Sequence, residues 1–165
     1  MSVIDELITD RTLADVETAL LYRSKWLANT ITAAEKREWA QGMKGAWNPS
    51  DSNRVGQAIV YIENRFTAAG YDLGTAYSPP TSSEVYVWAE TQLEDMRKEI
   101  VKLRALVPVP SDTPAVPSTL AKIDYSKANN IEKILKVVDG LMDNISAAYI
   151  HSGTTYSGFI NGVRR

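Results

Sequence analysis

Residues 89 to 107 read AETQLEDMRKEIVKLRALV. Within them Ala89, Leu93, Met96, Ile100, Leu103 and Val107 recur at intervals of 4, 3, 4, 3 and 4. That is the repeat of a helix face; a half-buried strand would alternate at every second residue. The opposite face carries Glu90, Glu94, Arg97, Lys98, Glu99 and Lys102. Glu94 precedes Lys98 by one turn, the favourable order for a helical ion pair. The stretch predicts a long amphipathic helix from Ser82 or Ser83 to Leu106, with a seam of the coiled-coil type.

A second seam lies further along. Ile131, Ile134 or Leu135, Val138, Leu141 or Met142, Ile145 and Ala148 share one face. They predict a helix from Tyr125 or Ser126 to Ile150, about 40 Å long. Between the two seams runs PVPSDTPAVPS, a stiff, extended connector with four prolines. The two helices match in length to within a turn. The expected packing is an antiparallel hairpin with the proline segment as the return.

Toward the N-terminus three shorter helices are expected. Thr12 caps the first, which runs to Ala28 with Leu13, Val16, Leu20 and Leu27 on one face and Trp26 beside the last. Thr32-Ala33-Ala34-Glu35 is a capping box that opens the second, and Gly42 and Gly45 close it. The third begins within KGAWNPSDSNRV, residues 44 to 55. Pro49 suits a first helical turn, and Asn48, Ser50 and Asp51 suit a cap. Val55, Ile59, Ile62 and Phe66 then form one apolar stripe, closed by Gly70. Trp47, Asn48, Asp51, Asn53 and Arg54 therefore read as a structural motif at a helix start. The sharper alternative makes Asn53 and Arg54 an anchor between domains or subunits.

The last stretch, HSGTTYSGFINGVRR, is punctuated by Gly153, Gly158 and Gly162. Thr154, Thr155, Tyr156, Phe159 and Ile160 prefer strands. A solitary strand is unstable in water, so the reading is an extended arm docked on its own domain, a symmetry mate or a partner. Its candidate docking residues are Tyr156, Phe159, Ile160, Arg164 and Arg165. The expected fold is all-α, with about five helices and this strand-prone arm. Its expected divisions are a three-helix region over 1–77, a helical hairpin over 78–151 and the arm over 152–165.

Catalytic signatures are missing from the pattern. The 165 residues include one histidine and no cysteine, which removes thiol nucleophiles and zinc–thiolate sites. Ser50 has no histidine near it in sequence to act as base. There is no glycine-rich phosphate loop and no nucleophile elbow. No enzyme activity, metal or cofactor is expected. Eighteen basic residues against 20 acidic ones give a net charge of −2, unlike a nucleic-acid binder. No apolar run is long enough to cross a membrane, and the acidic start MSVIDELITD reads as no secretory signal.

Several motifs carry a family resemblance. They are ITDRT at Ile8 to Thr12, KGAWN at Lys44 to Asn48, and D-x-N-R-V at Asp51, Asn53, Arg54 and Val55. ANNIEKIL at Ala128 to Leu135 and YSG at Tyr156 to Gly158 follow. In these motifs, spread over nearly the whole chain, the sequence resembles a family of small proteins from tail modules of phages and prophages of Gram-positive bacteria. It departs from the family at Trp47, where tyrosine is usual, and in its basic ending Gly162-Val163-Arg164-Arg165. The resemblance implies a virion structural protein near the baseplate or tail fibres, made in the host cytoplasm. Its partners would be other tail proteins and copies of itself, in three- or six-fold number. A carbohydrate-binding module for the host surface, using Trp39 or Trp47, and a cytoplasmic assembly or adaptor protein are the alternatives.

Overall fold

The computed structural model describes residues 2–80 and 88–163, with the side chains of the last helix described as far as Ile145. Five helices follow one another: α1 Leu13–Leu27, α2 Ala33–Ala40, α3 Pro49–Ala68, α4 Glu90–Leu106 and α5 Tyr125–Val163. The described residues contain no strand. The fold is all-α.

The starts of these helices follow local chemistry. Thr12 Oγ1 accepts from Asp15 N–H while Asp15 returns to Thr12 N–H, and Thr32 and Glu35 repeat the arrangement at α2. Pro49 occupies the first turn of α3. α4 starts later than the seam suggested, at Glu90. Ala89 has an extended backbone there, and its N–H donates to Gln92 Oε1 at 2.7 Å. Residues 81–87, where that helix was expected to begin, lie outside the described residues.

The seams of α4 and α5 are buried over most of their length; Ala89 at the start of the first is exposed, and the side chain of Ala148 in the second lies outside the described residues. Leu93, Met96, Ile100 and Leu103 meet Ile131, Ile134, Leu135, Val138 and Met142, together with Val55, Ile59, Ile62 and Phe66 of α3. This one core therefore draws residues from both sides of the boundary expected near 77.

Paired contacts give the helix directions. Arg54 reaches Glu132, and eleven residues on Arg65 reaches Asp139 and Asp143, so α3 and α5 advance together. Gly56 faces the Trp88 ring just before α4, and Glu63 takes Lys102 near its end at 2.9 Å, so α3 and α4 also advance together. These pairs do not describe the antiparallel hairpin expected of α4 and α5: each runs in the sense of α3. The physical reason is the connector. An extended chain of about 3 Å per residue over 107–124 easily exceeds the roughly 25 Å length of the 17-residue α4. It packs along the bundle through buried Val107, Thr113 and Leu120, and Arg104 Nε donates to Pro114 O at 3.2 Å.

Two further expectations change. The α1 face read as core is largely exposed: Leu13, Leu20 and Leu27 face solvent with Trp26 beside them, Val16 is half-buried, and only Ala19 of this helix is buried. At the other end, the α5 backbone stays helical to Val163 instead of turning extended after Ile150. Adding a turn to an existing helix avoids the cost of nucleation, which outweighs the strand preference of Thr154, Thr155 and Tyr156. The side chains of Tyr156, Phe159 and Ile160, and all of Arg164 and Arg165, lie outside the described residues.

Candidate functional site

Three stretches far apart in sequence meet at one end of the bundle. Arg11 comes from the segment before α1, Asp51 and Arg54 from the first turns of α3, and Glu132 from the second turn of α5. Arg11 Nη2 donates to Asp51 Oδ1 at 3.1 Å and to Glu132 Oε1 at 2.7 Å. Arg54 Nη2 bonds the same two carboxylates, reaching Glu132 Oε1 at 3.1 Å. The Glu132 side chain is 0% exposed and that of Arg11 2%.

The cluster is framed by backbone. Glu132 Oε2 accepts from Ile8 N–H, and Arg11 Nη1 donates to Ile8 O at 2.7 Å. Asn129, one turn before Glu132, accepts from Arg11 N–H at 3.0 Å and donates to Arg11 O at 2.8 Å. In effect the Asn129 amide pairs with residue 11 as a neighbouring strand would. Two cations and two carboxylates cancel, as burial requires: a charge moved out of water costs several kcal/mol when left unpaired. For Arg54, burial favours losing the proton, but Glu132 and Asp51 outweigh it and hold the guanidinium above its ordinary value.

The residues singled out from the sequence divide here. Asp51 and Arg54 belong to the cluster. The Trp47 ring lies 5.7 Å from the Arg11 guanidinium, a cation–π distance, and its Nε1 donates to Ser52 Oγ at 2.8 Å. Asn48 is the N-cap residue of α3, though its side chain does not accept from the first turn. Its Nδ2 donates backward to Ala46 O at 2.8 Å and Met43 O at 3.2 Å, and Asp51 Oδ2 accepts Asn48 N–H at 2.8 Å. Asn53 is half-buried alongside. Arg54 joins α3 to α5 within the chain.

Arg11, Asn129 and Glu132 were not singled out. The signal was present: they lie in ITDRT and ANNIEKIL, two of the motifs that carry the resemblance. Glu132 also sits directly beside Ile131 of the buried seam, an odd place for a carboxylate without a partner.

Chemically the cluster is a clasp. Every carboxylate oxygen turned toward it accepts from an arginine or a backbone N–H, which leaves no free base. Next to it a hollow of about 380 Å³ is lined by Val16, Gly45, Trp47 and Tyr125 among others. Gly45 has a steric reason there, since a Cβ would stand 1.9 Å from Asp15 O. The chain matches no known family pattern, no curated protein and no solved structure. Among the described residues no helix is long and apolar enough to cross a membrane.

Proposed function

We propose that this chain is a non-enzymatic structural component of a phage tail, near the baseplate or tail fibres. The observation that carries the reading is the exposed face of α1. Leu13, Leu20 and Leu27 stand one heptad apart and are 57%, 55% and 77% exposed. Three large apolar side chains left exposed at heptad spacing on one helix suit a partner helix. The α4 and α5 seams are spent inside the core. Assembly therefore falls to α1 and to the end of α5, with other tail proteins and copies of this chain as partners. The convergence of three resemblance motifs on one charge clasp supports the same reading. A clasp maintains a shape, and its own buried ionisable groups are engaged with each other.

The test is peptide mass spectrometry of purified particles, beside a chain carrying Leu20→Lys and Leu27→Lys. The reading expects a fixed copy number, a small multiple of three or six, against a major tail protein. It expects the double variant to keep its helical signal and to drop out of particles. A chain abundant in infected cells and missing from particles would make it a cytoplasmic assembly factor. Normal incorporation of the variant would remove α1 as the surface.

A further inference from the structure

A second concavity, of about 680 Å³, opens between α2 and the start of α3 and differs in kind from the apolar face of α1. Trp39 and Gln41 line it from the end of α2, Ser50 and Gln57 from α3, with Glu6 and Arg54 also in its wall. Among the described residues the side chains of Trp39, Gln41, Ser50 and Gln57 make no hydrogen bond or ion pair, whereas the Asn48 Nδ2 and the Asp51 carboxylate beside them are engaged. The groove thus gathers polar groups that the fold itself does not use.

Trp39 sharpens this. No residue of α2 is buried, so the helix packs no core and Trp39 is not held as part of one. It is half-buried, with an apolar ring face and an indole N–H that has no partner among the described residues. The surroundings are tied together. Gly42 turns the chain at φ +87°, and the Asn48 amide ties the Met43 and Ala46 carbonyls to the first turn of α3. A site formed in advance loses less entropy on binding.

The lining selects the ligand. Arg54 is neutralised by Asp51 and Glu132, and Glu6 is an exposed carboxylate, so an anion gains nothing. Two primary amides each donate and accept at once, and a serine hydroxyl does both. These match pairs of adjacent hydroxyls, while an indole face matches the C–H face of a sugar ring. We propose that this groove binds a neutral oligosaccharide, with Trp39 as the stacking platform and Gln41, Ser50 and Gln57 as hydroxyl partners. The site is independent of the assembly surface on α1.

The experiment titrates the full chain with a glucose tetramer, an N-acetylglucosamine tetramer and, as the charged control, a galacturonic acid tetramer. Calorimetry gives affinity and the indole N–H resonances give location. A neutral tetramer should bind and shift the Trp39 resonance, with the acidic one at least tenfold weaker. Trp39→Ala should weaken binding by about tenfold or more, and Gln57→Ala by roughly threefold, the worth of one hydrogen bond. Gln57 lies exposed on well-packed α3, so it decides the matter if Trp39→Ala disturbs α2. Binding of neither neutral tetramer at millimolar concentration overturns the proposal. So does binding that survives both substitutions or leaves the Trp39 resonance unmoved.

Discussion

The α1–α2 pair and the α3–α4–α5 bundle start from helices of similar local quality, yet they are held in different ways. Both N-terminal helices have complete capping boxes, and they are tied by Lys25 to Glu35 and by Tyr22 Oη donating to Glu38 at 2.6 Å. These contacts lie at the surface and span 10 to 16 residues. The bundle is held by contacts spanning 39 to 124 residues, among them Glu63 to Lys102, Arg54 to Glu132 and Ile8 to Glu132, over a core of fully buried aliphatic side chains. Surface ties between neighbours in sequence contribute little, and burial contributes most. Good caps make a helix; they do not decide whether it belongs to the core.

The comparison can be broken at its strongest point first. Glu132→Gln removes one of the two anions of the clasp and leaves Arg11 and Arg54 sharing Asp51. A loss of about 3–5 kcal/mol is expected, measured by urea unfolding. Gly56→Ala comes next. Its Cβ would stand 2.9 Å from Pro79 Cβ and 3.0 Å from the Trp88 ring, where α3 meets the approach to α4. Overpacking there should cost about 1–3 kcal/mol, again as a shifted urea midpoint.

On the weak side the effects are smaller and confined. Thr32→Ala removes the α2 cap, worth about 1 kcal/mol, and should raise amide exchange in α2 with little change in the bundle. Acid sharpens the contrast without mutation. The hydrogen bond from Lys25 lowers the Glu35 carboxyl from 4.5 to about 2, with help from the Thr32 backbone. A carboxyl lowered by folding stabilises fully above its unfolded value and stops doing so as pH falls through the folded one. The α1–α2 tie is therefore complete above about pH 4.5 and should fade toward pH 2. Residue-level exchange should show that fading in the wild type and a weaker one in Lys25→Met, where only the Thr32 contacts still hold the carboxyl down.

What could be read beforehand was local. The 4, 3, 4 spacing gave both long helices and their buried faces, the threonine boxes gave two helix starts, and Pro49 a third. What escaped was relational. Periodicity says which face is apolar but not what covers it, so Leu13, Leu20 and Leu27 looked like core until no neighbour proved to lie over them. It also carries no direction, so two matched seams suggested a hairpin where a long proline connector permits helices that advance together. The clasp escaped for the same reason. Arg11 and Glu132 are ordinary surface residues by type, and only their convergence from opposite ends of the chain explains their burial.

The most direct measurement is native-state hydrogen exchange on the full chain beside Glu132→Gln. The account predicts that α3, α4 and the first half of α5 open only with global unfolding, while α1 and α2 open far more readily. It predicts that Glu132→Gln lowers protection throughout the bundle together and leaves α1 and α2 nearly unchanged. Equal protection of all five helices in the wild type, or a bundle indifferent to the loss of the Glu132 charge, would contradict it.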